Sequence, residues 1–182
     1  MTSPLASRLH HTAYVVKDLE ATRRFYEDIL GFPLVATWCE QEALFGSVRT
    51  YCHCFFGLQD GSALAFFQFA DANDQAEFGP DLISSPFRHI ALNVDATAQA
   101  ELEKRIADAG LKQTYVLEHG YCRSVYVVDP DEMIVEFTLD ADHVDEINAI
   151  RAKDAHSELK RWLTGDHRPN NDVRPSHLAA AD

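Results

Sequence analysis

At 182 residues, with 16 basic against 29 acidic side chains and a net charge of −13, the chain repels phosphate backbones and anionic lipid, which excludes nucleic acid and membrane surfaces as expected partners. Hydrophobic residues at 46% and charged ones at 25% are an ordinary globular balance, enough for one sizeable domain or two small modules sharing a core. No apolar run approaches the ~20 residues that cross a bilayer, and the opening MTSPLASRLHH lacks the basic-then-apolar order of a secretory signal, so a cytoplasmic location is expected.

Residues 1–8 read as a loose tail. His11 opens an apolar strand-like run, Thr12 to Val16. Asp18 then stands as the N-cap of a helix whose apolar stripe is Leu19, Thr22, Phe25, Tyr26, Ile29 and Leu30, with Gly31 placed to end it. Pro33 to Trp38 reads as a second strand and the polar stretch around Glu40 to Gly46 as a loop. Val48 to Gly57, rich in aromatic and β-branched residues, reads as a third strand, and the turn Gln59-Asp60-Gly61-Ser62 leads into a fourth, Ala63 to Phe69. The first module, 9–70, is therefore β-α-β-β-β. Residues 71–86 are polar, contain Gly79 and Pro80, and read as a linker.

From His89 the layout recurs: the apolar run Ile90 to Val94, then Asp95, a helix with Ala98, Leu102, Ile106 and Ala109, and Gly110. Strands are expected at 87–94, 113–118, 121–128 and 133–139 with a helix at 96–109, so the second module, 87–140, is β-α-β-β-β as well. Asp129-Pro130-Asp131 makes its last hairpin turn. The repeat distance is about 78 residues, and each copy carries one histidine at the start of its first strand. A helix over 142–164 follows, with Val144, Ile147, Arg151, Ala155, Leu159 and Trp162 as its stripe, expected to pack on the domain or on a partner subunit with Trp162 in core or interface. Residues 165–182 are polar and Pro-punctuated, an irregular tail.

Three residues carry the chemistry. His11 and His89 open equivalent strands, and Glu136 interrupts the apolar run Met133-Ile134-Val135-Glu136-Phe137. A carboxylate there is costly to bury unless it is paired or binds a cation. Two imidazoles and one carboxylate form a facial set suited to Fe(II) or Mn(II), with open positions for substrate. The four cysteines, Cys39, Cys52, Cys54 and Cys122, lack the second pair a zinc cage needs and are expected to be buried thiols.

The repeated modules, the strand H-x(4)-V-x-D of His11 to Asp18, the helical RRFYEDILGF and the DPDEMIVEF run around Glu136 resemble the vicinal-oxygen-chelate superfamily, which includes glyoxalase I, methylmalonyl-CoA epimerase, antibiotic resistance proteins and type I extradiol dioxygenases. The resemblance covers roughly residues 9–140 and implies an α+β fold, two paired βαβββ modules forming a cupped mixed sheet around a metal held by His11, His89 and Glu136. The fourth ligand strand of such proteins corresponds to Ala63 to Phe69. Counting from its turn puts Ala65 and Phe67 on the metal face, and neither binds metal, so a three-ligand set like that of the extradiol dioxygenases is expected. Gln68 as a fourth ligand would instead imply a glyoxalase- or epimerase-like lyase or isomerase, and the same fold without metal would be a small-molecule binding protein.

Tyr126, ten residues before Glu136, matches the tyrosine of extradiol dioxygenases, and His53 and His119 are the nearest matches to their acid–base and pocket histidines. The resemblance thus implies an oxidoreductase acting on a small aromatic substrate and O2. Fe(II) is the expected metal, with Mn(II), Zn(II) or Ni(II) as the other candidates, and a homodimer is the family expectation. Trp38, Phe66, Phe67 and Phe87 are expected as aromatic pocket walls. His10 is expected to face away from His11, and His143, His156, His167 and His177 to be solvated.

Overall fold

The computed structural model describes residues 6–81, 85–111 and 115–173. Residues 113–114, the start of an expected strand, and His177 lie outside them. The elements are β1 (Tyr14–Val15), α1 (Leu19–Arg23, continuing as a π-helical segment, Arg24–Ile29), β2 (Leu34–Leu44), β3 (Ser47–Gly57), β4 (Ala63–Phe69), α2 (Ala72–Phe78), β5 (His89–Asn93), α3 (Ala96–Asp108), β6 (Tyr115–Glu118), β7 (Cys122–Val128), β8 (Ile134–Asp140) and α4 (Val144–Leu163). They form an α+β fold with two four-stranded sheets, ordered β1-β4-β3-β2 and β5-β8-β7-β6, and a C-terminal helix. The same strand order in both halves is the structural form of the repeat.

The chain divides into two compact units. The first comprises Met1–Arg88 with Asp108–Gly110 and Val128–Ile134; the second comprises His89–Ala107, Leu111–Val127 and Val135–Asp182.

In the first unit, β1 runs parallel to β4, and β4, β3 and β2 are antiparallel. Asp18 caps α1 by accepting from the Glu20 and Ala21 amides at 2.8 and 3.1 Å. The helix widens at its end, with the Leu30 amide reaching the Phe25 carbonyl at 3.0 Å, and Gly31 turns the chain at φ 81°. Its inward face is Thr22, Phe25, Tyr26 and Leu30, all buried. The Tyr26 ring lies 4.8 Å from Phe66 and 5.7 Å from Phe56, and its hydroxyl donates to Asp129 Oδ2 at 3.0 Å. Burial of these rings supplies the main stabilisation of this sheet face, roughly 1.5–3 kcal/mol per large side chain.

Two expected irregular stretches are ordered elements. The stretch around Glu40 to Gly46 is mostly strand: β2 and β3 pair from Leu34↔Phe56 to Leu44↔Ser47, and Phe45 and Gly46, at φ 50° and 83°, close the hairpin. Two left-handed residues match the twist of the flanking strands. The polar sequence hid the strand because β2 is an edge with most of its residues exposed, so no apolar alternation is required of it. The expected linker contains α2, capped by Asp71. Arg49, buried on β3, anchors that helix: its guanidinium meets Asp74 at 3.2 Å and Glu77 at 3.5 Å, and lies 4.9 Å over the Phe78 ring.

In the second unit, α3 buries Gln99, Leu102 and Ile106. The Gln99 amide donates to the carbonyls of Arg123 and Phe137 at 3.0 and 2.9 Å, fastening the helix to β7 and β8. Of the expected stripe on α4 only Ile147 is buried. Trp162 is 55% exposed and therefore not core, its ring packing on His167 at 4.2 Å. No helix among the described residues is long and apolar enough to cross a membrane.

Candidate functional site

Each unit gathers part of the expected site. In the second unit the strand order sets β5 beside β8 and β7 on its other side, so His89, Glu136 and Tyr126 come from three adjacent strands. Glu136 is 5% exposed, and both its oxygens are engaged. Oε1 accepts from the Tyr126 hydroxyl at 2.8 Å, and Oε2 lies 2.9 Å from His89 Nε2. His119 Nε2 lies 3.4 Å from the Tyr126 hydroxyl, so four residues singled out from sequence form one connected polar chain, His89–Glu136–Tyr126–His119. Burial, then the bond to Glu136, holds the Tyr126 phenol well above its ordinary pKa, so it is a proton donor at neutral pH.

Sequence reasoning missed Tyr115 here. It pairs with Tyr126 across β6 and β7, and the two rings lie 4.3 Å apart, tilted by 34°. Once the register is known the pairing is obvious, but nothing in the spacing identifies the partner.

In the first unit, His11 makes a parallel bridge to Ala63, with the flanking bonds Ala63 N–H to His10 carbonyl and Thr12 N–H to Ala63 carbonyl, both 3.1 Å. His53 lies on β3 opposite Phe67 of β4, and the two rings stack at 3.6 Å and 16°. The His11 ring lies 5.9 Å from His53 and 5.4 Å from Phe55, since residues 53 and 55 share a strand face. His53 is buried, and its Nε2 has no hydrogen-bond partner among the described residues. Burial, reinforced by His11, pushes the His53 pKa down, so the ring is held neutral.

Several expectations change. His10 does not turn away from His11: their Nδ1 atoms approach to 2.7 Å, because the chain at this point makes one bridge rather than a regular strand. His11 Nε2 makes no hydrogen bond among the described residues. Gln68 lies on the opposite face of the sheet from Phe67 and His53. Its carbonyl accepts from the Leu19 amide at 3.2 Å and its NH2 donates to the Lys17 carbonyl at 3.0 Å, tying β4 to the start of α1. Phe66 is fully buried against Tyr26 and belongs to the core, whereas Phe67 lies on the His53 face. Trp38 and Phe87 are 58% and 94% exposed within the chain. The cysteines are not uniformly buried either: Cys54 and Cys122 are, but Cys39 is exposed and Cys52 half-buried.

The donor set suits a divalent metal. An imidazole nitrogen and a buried carboxylate oxygen lie 2.9 Å apart in the second unit, and in the first unit His11 offers an imidazole nitrogen with no hydrogen bond among the described residues. Neither unit taken by itself gathers three His, Cys, Asp or Glu ligands among its described residues.

The chain is matched over residues 8–137 by a family model described as Glyoxalase/Bleomycin resistance protein/Dioxygenase superfamily. A comparison with curated proteins gives no match. Among solved structures, a fosfomycin resistance protein, FosX, from Listeria monocytogenes is 21% identical, covering 77% of this chain and 98% of its own, with a TM-score of 0.55. A glyoxylase/bleomycin resistance protein/dioxygenase domain from Frankia sp. EAN1pec is 22% identical, covering 79% and 99%, with a TM-score of 0.56. FosX from Mesorhizobium loti is 23% identical, covering 80% and 99%, with a TM-score of 0.53. These likenesses are of fold.

Proposed function

The chain belongs to the glyoxalase/bleomycin resistance protein/dioxygenase superfamily, and from that premise we propose that it is a metal-dependent dioxygenase cleaving a catechol-type ring in extradiol fashion. The observation that carries the reading is His53, a buried imidazole held neutral beside His11 with an unpartnered ring nitrogen. A buried polar atom without a partner is costly, and a neutral imidazole is the group that accepts a hydroxyl proton near pH 7.

On this reading His11, His89 and Glu136 hold one divalent ion, Fe(II) by preference. When bound, such an ion acidifies vicinal hydroxyls and, as Fe(II), activates O2. His53 takes a hydroxyl proton from the substrate at its free nitrogen and later returns it. Tyr126 orients Glu136 by donating its single hydroxyl hydrogen to Oε1, with Tyr115 packed against its ring and His119 beside its hydroxyl. Phe67 and Phe55 keep water from His53 and offer flat surface to an aromatic substrate. The occupation of Gln68 by the α1 backbone supports three protein ligands over four.

The test is anaerobic loading with Fe(II), followed by air and a panel of catechols, with oxygen uptake and a yellow ring-opened product as readouts. Protein that carries metal but consumes no oxygen with any catechol overturns the dioxygenase reading. That outcome would turn attention to oxygen-independent chemistry on the same ligands; a mutant of FosX from Listeria monocytogenes, similar in fold, is complexed with Mn(II) and 1S,2S-dihydroxypropylphosphonic acid.

A further inference from the structure

The sheet of the first unit carries a second reactive cluster on the face opposite His53. Cys39 of β2 and Cys52 of β3 are direct cross-strand partners, with Sγ atoms 3.8 Å apart. Cys54, two residues on, lies 4.0 Å from Cys52, and it faces Thr37 Oγ1 at 3.6 Å on the next rung. Cys39 is exposed on the edge strand, Cys52 is half-buried and Cys54 is buried.

We propose that Cys39 and Cys52 are an oxidisable dithiol, closed to a disulfide by hydroperoxides and reopened by small thiols. Directly opposed residues of an antiparallel pair have Cβ atoms about 4.5–5.5 Å apart, against about 3.5–4.5 Å in a disulfide. Closing the bond therefore asks for a small inward shift of β2. That strand is hydrogen-bonded along only one side, so the shift disturbs a single ladder. Among the described residues the thiols belong to no group of three or more His, Cys, Asp or Glu side chains arranged to hold an ion.

Accessibility assigns the two roles. Cys39, which faces solvent, meets the oxidant. Its thiolate attacks a peroxide oxygen, the O–O bond breaks, and Cys39 becomes a sulfenic acid as hydroxide leaves. The Cys52 sulfur then attacks the Cys39 sulfur, gives up its proton, and expels the sulfenic oxygen as water. The thiol pair loses two electrons and the peroxide gains them. Burial, then its hydrogen bond with Cys39, pushes the Cys52 thiol up to about 12, so it is a thiol at neutral pH and the exposed Cys39 is the sulfur that meets the peroxide first. Cys54 is too buried to meet oxidant and is opposed by a threonine, so it stays reduced. The exposed edge also leaves the finished bond open to attack by small thiols, which suits a reversible modification. The link would tie β2 to β3 one residue before His53.

The full-length protein is treated with hydrogen peroxide, its remaining thiols are blocked with iodoacetamide, and it is digested with trypsin without reductant, which cuts at Arg49 between the two cysteines. The expected result is a monomer containing a Cys39–Cys52 cross-linked peptide, lighter by two hydrogens and restored by dithiothreitol. Cys54→Ser retains the cross-link, and Cys39→Ser or Cys52→Ser abolishes it. Sulfinic acid at Cys39 without a cross-link, a Cys39–Cys39 dimer, or a Cys52–Cys54 bond overturns the proposal. If either variant fails to fold, fragmentation of the wild-type cross-linked peptide decides alone.

Discussion

Tyr126 donates its hydroxyl hydrogen to Glu136 Oε1 at 2.8 Å, across two neighbouring strands and out of reach of solvent. The bond does two jobs. It satisfies one oxygen of a buried carboxylate, and it aims the other at His89 Nε2. Tyr126→Phe should therefore destabilise the protein by about 1–3 kcal/mol in urea, the cost of a buried acceptor losing its donor. It should also weaken metal binding by roughly 10–100-fold, as loss of a ligand's orienting partner does. A variant that matches wild type in both denaturant midpoint and metal titration would remove Tyr126 from the site.

His53 stacks on Phe67 while its Nε2 lacks a partner, so its packing and its proton chemistry are separable. His53→Gln keeps much of the volume and loses the base. The expected result is a fall in kcat of about 10²–10⁴-fold, with metal content unchanged. Undiminished turnover in a correctly metallated variant would make His53 a packing residue only.

Asp129 should make the stability of the first unit depend on pH. Burial pushes its pKa up to about 6, although the amides of Met133 and Asp131 and the Tyr26 hydroxyl pull the other way. The folded pKa therefore lies above the unfolded value of 3.8. The stability this group contributes is fully present below about pH 4 and is lost as pH rises through about 6. Asp129→Asn cannot titrate, so the difference in unfolding free energy between wild type and variant should shift by roughly 2–3 kcal/mol across that window. A flat difference between pH 4 and pH 7 would contradict the burial argument.

Glu132 closes the turn after Asp129 at φ 67°, a conformation that costs a residue with a Cβ about 1–2 kcal/mol. Glu132→Gly relieves this but gives the unfolded chain more freedom, worth about 0.4–1 kcal/mol. The net expectation is a gain of about 0.5 kcal/mol, read as a higher urea midpoint at unchanged slope. A clear loss would mean that the glutamate side chain holds the turn.

The α+β architecture and most of the element order were legible because each is a local pattern, and the candidate site residues stood out for the same reason. Asp18 caps its helix whatever the tertiary structure, Thr22, Phe25, Tyr26 and Leu30 form one helical face, and Glu136 is conspicuous in an apolar strand. His89, Glu136, Tyr126 and His119 could be nominated by position, and the second unit brings them into one hydrogen-bonded chain. The exceptions depended on partners that spacing does not reveal. α2 is anchored by Arg49, more than twenty residues upstream, and β2 is an edge whose polar residues need no alternation.

By itself, then, the sequence determined which residue types recur at which intervals, and so the two β-α-β-β-β modules and the histidine heading each. Only the tertiary structure decided what each side chain meets. Strand register turned Phe67 toward His53 and Phe66 into the core, sent Gln68 to the α1 backbone, and set Cys39 against Cys52. The reason is physical. Strand periodicity says which residues share a face, but cross-strand pairing, established between segments far apart in the chain, chooses the neighbour on that face.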